Sequence, residues 1–158
     1  MQLLTPLQLV VGVRRRFLRW LARELASFLA HTPIISGDKN RVRIGSNVHL
    51  SDAILNCRSG NITIEDDVFF GHHCLVLTGT HDFTLKGQDR ITTVPPVGRD
   101  IVIRRGAWIA SQVTLIGPCE VGEHAVVVTG TIVRENVAPG VIYGGMPPRV
   151  IKEIDFQN

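Results

Sequence analysis

Aromatic residues are scarce in this sequence. Only 6% of the 158 residues are Phe, Trp or Tyr, whereas Val, Ile and Gly are plentiful. This bias favours short β-strands joined by tight turns over a helix bundle, because β-branched side chains suit strands and glycine suits turns. The apolar fraction of 44% and the charged fraction of 20% exclude a disordered chain and predict one folded, soluble domain.

Disulfide and transmembrane signals are also missing. The three cysteines, Cys57, Cys74 and Cys119, form no CxxC pair, which argues against a disulfide framework and favours a reducing, cytoplasmic compartment. The apolar run over residues 3–13 is interrupted by polar residues and is far shorter than the ~20 residues that a membrane span needs. Arginines follow this run instead of preceding it, so it does not have the pattern of a signal peptide.

The positive charge is concentrated at one end of the sequence. Residues 1–30 contain five arginines and a single acidic residue. They are Arg14, Arg15, Arg16, Arg19 and Arg23, against Glu24. No basic stripe with interleaved aromatics occurs in the remainder, so we do not expect nucleic-acid binding.

A six-residue period dominates the second half of the sequence. Every sixth residue from position 103 is aliphatic, and the residue four positions after each one is small or β-branched. The aliphatic series is Ile103, Ile109, Leu115, Val121, Val127 and Val133. The same register is visible at Ile64, Phe70 and Val76, and at Ile44 and Leu50 with Val48 and Ile54 as companions. A slip occurs near residues 60–61, and residues 82–100 interrupt the repeat.

This period fits neither a helix nor a flat sheet, whose repeats are 3.6 and 2 residues. It fits a short strand plus a turn, and three such units of roughly 18 residues close one triangular coil of a parallel β-helix. The aliphatic residues are predicted to fill the interior, with the small companions at the corners. An ordinary β-sandwich is the competing interpretation.

The N-terminal segment is predicted to be helical. Over residues 14–30, Phe17 and Leu21 lie on one helical face and Arg19 and Arg23 on another, and residues 3–11 suggest a second, shorter helix. This segment either caps the first coil of the solenoid or rests on an anionic membrane surface, with Phe17 and Trp20 as anchors. The predicted organisation is therefore a helical segment over 1–32, the β-helix over 33–145 and a tail over 146–158 that crosses back over the last coil.

The interruption over residues 82–100 is the strongest functional signal, because long excursions from a regular scaffold usually carry function. His81 lies where this loop leaves the coil, and an imidazole can accept a proton at neutral pH. Asp82 either orients that imidazole or begins the turn of the loop, and we place it among the substrate-binding candidates. His72 and His73 precede His81 and raise the alternative of a zinc site. Adjacent strand residues point to opposite faces, so we predict no metal.

Four stretches carry a recognisable pattern: residues 78–83 (TGTHDF), 101–111 (IVIRRGAWIAS), 128–133 (VTGTIV) and 143–152 (YGGMPPRVIK). They resemble the hexapeptide-repeat acyltransferase family, in the branch of the maltose and galactoside O-acetyltransferases and the exopolysaccharide acetyltransferases. The resemblance covers residues 42–154. It implies a left-handed parallel β-helix, a homotrimer, and acetyl-CoA bound in a groove between subunits that transfers its acetyl group to a sugar or glycan hydroxyl.

The resemblance also implies site residues. His81 corresponds to the catalytic base, and Asn56, in an Asn-Cys dipeptide, resembles the asparagine on the substrate side. The implied coenzyme-binding residues are Trp108, Ala110, Ser111, Thr129, Gly130, Gly145, Arg149 and Lys152. A cationic tail suits the phosphates of the coenzyme.

The N-terminal helices of the maltose-type enzymes are replaced here by the arginine-rich segment, which makes a glycan at the inner membrane face a plausible acceptor. Two other functions remain open on the same solenoid. One is a metalloenzyme similar to the γ-class carbonic anhydrases, and the other is a scaffold without catalysis.

Overall fold

The computed structural model describes residues 6–30 and 32–157, with side-chain burial for residues 14–27 and 32–157. The chain divides into two compact units, residues 1–32 and 33–158. The first contains one continuous helix, α1 (Pro6–Ala30), where the sequence suggested two. Pro6 occupies its first position, where a missing backbone N–H costs nothing.

The described side chains of α1, over residues 14–27, are all exposed. The rings of Phe17 and Trp20 are 5.9 Å apart. No helix in the described part of the chain combines the length and the apolar character that crossing a bilayer requires.

The second unit is a three-sided parallel β-helix, as the repeat predicts. Its strands, over the described residues, are β1 (Ile34–Ser36), β2 (Val42–Ile44), β3 (Ile54–Asn56), β4 (Ile62–Ile64), β5 (Phe69–Phe70), β6 (Leu75–Leu77), β7 (Ile101–Ile103), β8 (Trp108–Ile109), β9 (Thr114–Ile116), β10 (Cys119–Val121), β11 (Val126–Val127), β12 (Ile132–Val133), β13 (Val141–Gly144) and β14 (Arg149–Glu153). A 3₁₀ turn covers Lys39–Arg41 and a short helix, α2, covers Gly87–Thr92.

The strands form three sheets. Sheet 1 has the order β1-β3-β6-β9-β12, sheet 2 the order β2-β4-β7-β10, and sheet 3 the order β5-β8-β11-β13-β14. From β3 to β12 the chain visits the sheets in the repeating sequence 1, 2, 3, and every pair except β13 with β14 is parallel.

The interior of the column is aliphatic. All six residues of the series from Ile103 to Val133 are fully buried, and their companions are buried as well. In this part of the column, residues that pair between adjacent coils are 18 positions apart in the sequence, as in the pairs Thr114 with Ile132 and Trp108 with Val126. The six-residue prediction is therefore confirmed, because each inward position has the same surroundings from coil to coil.

The first coils depart from the predicted register. Ile44 is 45% exposed and Ile54 is 36% exposed, whereas Leu55 is fully buried. Ile44 keeps the predicted inward register, because it pairs with the buried Ile64, and it is exposed because β2 is the terminal strand of sheet 2. The assignment of Ile54 to a corner was wrong, because the buried Ala53 occupies that position. One residue is missing from the repeat between Leu50 and Leu55, so the inward position moves to Leu55. The predicted slip near residues 60–61 is a turn of five residues, 57–61, where the next complete coil uses only Gly117 and Pro118.

The excursion leaves after β6 and returns at β7 without disturbing the stack. Its base is closed by the Nε of Arg99, which donates to the carbonyl oxygen of Thr78 at 2.8 Å. At the far end of the column, β14 folds back antiparallel on β13. The tail therefore runs back along β13 as the terminal strand of sheet 3.

Candidate active site

His81 lies at the corner between sheets 1 and 2, four residues after the end of β6. Its side chain is exposed, and its Nδ1 is 2.9 Å from the carbonyl oxygen of Arg90 in α2. A carbonyl oxygen only accepts hydrogen bonds, so this contact selects the tautomer that carries its proton on Nδ1. The lone pair on Nε2 is then available to accept a proton.

Asp82 does not contact the imidazole. Its carboxylate accepts hydrogen bonds from the backbone N–H of Thr84 at 2.9 Å and from the Thr84 hydroxyl at 2.6 Å, and these bonds lower the pKa of Asp82. Of the two roles left open by the sequence, the structure supports the turn. The group that orients His81 is the backbone carbonyl of Arg90. Every residue type has such a carbonyl, so this contact could not be recognised from the sequence.

α2 is held against the start of the excursion by Arg90. Its Nε donates to the carbonyl oxygen of Leu85 at 2.6 Å, and its Nη2 donates to that of Phe83 at 3.0 Å. Because its side chain closes the loop while its carbonyl contacts His81, Arg90 couples the conformation of the loop to the position of the imidazole. The sequence analysis missed this residue.

Asn56 ends β3 and lies beside the segment that leads to His81. Its carbonyl oxygen accepts the backbone N–H of Thr78 at 2.9 Å, and its side-chain amide faces Gly79. The Oδ1 of Asn56 also accepts the backbone N–H of Arg58 at 3.2 Å. The structure thus brings Asn56 to the same corner as His81.

The candidate coenzyme residues follow a different corner, between sheets 3 and 1. Ser111 follows β8 and Thr129 and Gly130 follow β11, one coil further on, with the N–H of Gly130 bonded to the carbonyl oxygen of Ser111 at 3.1 Å. Ala110 is buried at the start of this corner. Trp108 is half exposed on the outer face of sheet 3 and stacks on Phe69 with ring centroids 5.5 Å apart.

A cavity of about 320 Å³ lies at the C-terminal end of this corner. Its lining residues are Gly130, Ile132, Arg134, Glu135, Tyr143, Gly145, Met146 and Pro148. The hydroxyl of Tyr143 donates to Glu135 at 2.7 Å, and burial together with this carboxylate raises the pKa of Tyr143 to about 12. Arg149 and Lys152 are exposed on β14 beside it. Within one chain, His81 and these residues therefore occupy separate corners.

His72 and His73 form an unexpected cluster with Asp52. The two histidines lie in a turn after β5, and His73 has a φ of 59°, so the argument from strand alternation was wrong. Both Nδ1 atoms face the Asp52 carboxylate, at 3.4 Å and 2.6 Å. The backbone N–H of His73 donates to the same carboxylate and lowers its pKa. No set of three side chains with metal-binding geometry occurs among the described residues.

Comparison with known proteins gives relatives, although no family model matches the chain. The galactoside O-acetyltransferase of Escherichia coli is 25% identical over 128 residues, which are 80% of this chain and 61% of that protein. A serine acetyltransferase of Buchnera aphidicola is 31% identical over 115 residues, which are 73% of this chain and 40% of that protein. The chain thus spans less than two thirds of the length of both.

Among solved structures, a hexapeptide-repeat acetyltransferase from Vibrio cholerae, in complex with acetyl-coenzyme A, superposes with a TM-score of 0.61 at 22% identity. The superposition covers 78% of this chain and 66% of that one. The chain is therefore similar in sequence to these two acetyltransferases, and its parallel β-helix is the fold of the hexapeptide-repeat acetyltransferase.

Proposed function

We propose that the protein is an acetyl-CoA-dependent O-acetyltransferase that acts on a hydroxyl of a sugar or glycan, with His81 as its general base. The observation that carries this proposal is the contact between Nδ1 of His81 and the Arg90 carbonyl oxygen, because it leaves Nε2 exposed as a proton acceptor. The relationship to a galactoside O-acetyltransferase supports the reaction and the class of acceptor.

In this reaction Nε2 of His81 removes the proton from the acceptor hydroxyl as its oxygen attacks the thioester carbonyl. The C–S bond then breaks, and the sulfur leaves with the proton that the imidazolium returns. A thioester is already activated, so one base and correct positioning suffice. Asn56, at the same corner, is proposed to contact the acceptor.

Acetyl-CoA is proposed to lie along the corner from Ser111 to Gly130, with Trp108 beside its pantetheine arm. Ala110 and Thr129 would contribute backbone groups to this groove, and Gly145 belongs to the cavity at its end. Arg149 and Lys152 are exposed next to that cavity and suit the phosphates of the coenzyme.

A homotrimer would bring the two corners together. His81 and the coenzyme corner lie on different edges of one column, so a neighbouring copy is needed to complete the site. The outer faces of the sheets support such an assembly. The outward row of sheet 1 consists of Ile34, Ile54, Leu75, Thr114 and Ile132. The outward row of sheet 3 consists of Phe69, Trp108, Val126, Ile142 and Lys152. The outward row of sheet 2 consists of Arg43, Thr63, Val102 and Glu120. Two apolar faces and one polar face suit a three-fold contact.

Residues 1–30 are proposed to rest on the inner membrane face. Phe17 and Trp20 are each 55% exposed on a helix that also carries five arginines, the composition expected of an interfacial helix. Three free, buried cysteines are consistent with a cytoplasmic location. Co-sedimentation with anionic vesicles tests the contact, and equal binding of the intact chain and a Trp20→Ala variant would contradict it.

The function is tested by measuring CoA release from acetyl-CoA against a panel of free sugars and lipid-linked glycans. His81→Ala should lower kcat by about 10²–10⁴-fold, which is the usual contribution of a general base, and should leave acetyl-CoA binding intact. The matched control is His124→Gln, because His124 is an exposed histidine that contacts Phe156 at a different corner. Normal turnover by His81→Ala would remove this residue from the role of base.

A further inference from the structure

We propose that a cationic cavity beside the excursion binds an anionic group of the acceptor, so that the acceptor is a hydroxylated sugar carrying a phosphate or a carboxylate. The cavity has a volume of about 330 Å³. Its lining residues are Gly37, Asp38, Arg41, Cys57, Arg58, Val94 and Pro96. This inference rests on the proposed acetyl transfer and specifies its second substrate.

Arg41 is held in a fixed position at this cavity. Its Nη1 donates to the carbonyl oxygen of Pro96 at 2.6 Å and to that of Arg58 at 3.2 Å. Neither Arg41 nor Arg58 forms an ion pair within the described residues. Neutral carbonyl oxygens do not compensate the positive charge of a guanidinium, so this charge remains available to a ligand. The planar set of N–H donors suits the oxygens of a phosphate or a carboxylate.

Arginines on the neighbouring face are neutralised. Arg104 contacts Glu65 at 2.8 Å and Glu120 at 2.9 Å, and Arg105 contacts Asp66 at 3.3 Å. Acidic residues are therefore available to arginines elsewhere in the column. Among the described residues, Arg41 and Arg58 differ from Arg104 and Arg105 in having no carboxylate partner.

Asp38 is the one acidic residue that lines the cavity, and its carboxylate stabilises the adjacent turn. The carboxylate of Asp38 accepts the backbone N–H of Asn40 at 3.0 Å, where it caps the 3₁₀ turn. Two guanidinium groups and one carboxylate leave the lining with a net positive charge. The Nε of Arg58 lies 3.4 Å from the hydroxyl of Ser36, and its side chain is otherwise exposed.

The cavity belongs to the corner that carries His81. The turn over residues 57–61 is bonded to the segment before His81, through the N–H of Ser59 to the Thr78 hydroxyl at 3.2 Å and the N–H of Thr80 to the Ser59 hydroxyl at 3.3 Å. The excursion supplies both the Arg90 carbonyl on His81 and the Pro96 carbonyl on Arg41. An acceptor whose hydroxyl reaches His81 therefore meets positive charge on the adjoining turn.

Three acceptors that share a hexose ring and differ in charge test the inference: glucose, glucose 6-phosphate and glucuronate. We expect the wild-type protein to prefer the two anions, and Arg41→Gln and Arg58→Gln each to lower kcat/KM for the anions by about tenfold or more, because hydrogen bonds to charged groups are worth about 1.5–3 kcal/mol. The KM for acetyl-CoA should not change. Arg43→Gln is the control, since Arg43 is exposed on the outer face of sheet 2.

Three results would overturn the inference: equal rates with charged and neutral acceptors, equal behaviour of all three arginine variants, or an increased KM for acetyl-CoA in Arg41→Gln or Arg58→Gln. If Arg41→Gln does not fold by circular dichroism, Arg58→Gln, with Arg43→Gln as its control, provides the same comparison.

Calorimetric titration of glucose 6-phosphate without coenzyme separates this inference from the proposed function. Binding that Arg58→Gln abolishes, together with an absence of acetyl transfer, would support the cavity and refute the transferase. Absence of glucose 6-phosphate and glucuronate binding in a protein that transfers acetyl groups would refute the cavity alone.

Discussion

The contact between Gly79 and Asn56 allows a quantitative test of the corner that carries His81. A Cβ atom added at Gly79 would lie 2.5 Å from Oδ1 and 2.6 Å from Nδ2 of Asn56, closer than the 3.0 Å that real Cβ contacts respect. The three atoms closest to this Cβ belong to the Asn56 side chain and not to backbone. Gly79→Ala should therefore force the Asn56 amide out of its position.

The cost can be worked from the contacts that are lost. The Arg58 N–H loses its acceptor, which is worth about 1 kcal/mol, and a displaced rotamer adds about 0.5–1.5 kcal/mol. Replacing glycine reduces the entropy of the unfolded chain and returns about 0.4–1 kcal/mol. The net loss is about 0.5–2 kcal/mol, which lowers the Tm by about 1–8 °C for a chain of this length.

A double-mutant cycle distinguishes this cause from a general intolerance of Gly79. In an Asn56→Ala background the clash is absent, so Gly79→Ala should be neutral or stabilise the fold by about 0.4–1 kcal/mol. Urea unfolding at a fixed protein concentration measures all four variants. Equal destabilisation by Gly79→Ala in both backgrounds would refute the reasoning.

Gly71 supplies the control for this cycle. A Cβ at Gly71 would lie 2.5 Å from the backbone nitrogen of Ser111 and 2.8 Å from its Cα. Backbone atoms of the adjacent coil cannot rotate away, so Gly71→Ala should destabilise the column whether or not residue 56 is truncated.

Three further predictions concern stability. Leu115→Ala should cost about 2–5 kcal/mol in urea unfolding, because the side chain is fully buried within the stack of coils, and a loss below about 1 kcal/mol would contradict its packing. The pKa of Asp52 is lowered, mainly by the N–H of His73, so its contribution is present above the unfolded value of 3.8 and is lost as pH falls below it. Asp52→Asn should consequently lower the Tm at neutral pH and match the wild type in strong acid, and a Tm difference that does not depend on pH would exclude this charge effect. The pKa of Tyr143 is raised from 10.0 to about 12, so the folded state loses stability between these values as the phenol ionises first in the unfolded chain. Tyr143→Phe should remove that alkaline decline in Tm, whereas an unchanged decline would assign it to other groups.

The interior of the column could be predicted because one signal repeats under identical conditions. Each inward residue from Ile103 to Val133 has a coil above and below it, so the six-residue spacing translates directly into burial. The first coils could not be assigned in the same way. There the chain loses one residue after Leu50 and gains others before Ile62, so a periodic count places Ile54 at the corner position that Ala53 occupies.

The candidate site was predictable only where a side chain itself carries the chemistry. His81 was recognisable from its position at the start of the excursion. Its orienting partner was not, because the carbonyl oxygen of Arg90 is common to every residue type. Asp82 and the pair formed by His72 and His73 show the same limit, since their roles depend on turn geometry that brings Thr84 and Asp52 to them.

The excursion changes no register in the column. Ile62 pairs with Ile101, Phe69 with Trp108 and Leu75 with Thr114, and each pair is separated by the same 39 residues. The coils on either side therefore stack as they would if the chain had passed directly from one to the next. We expect replacement of this segment by another of different length or composition to leave every rung aligned, so that the proposed acceptor site can change without a loss of foldability.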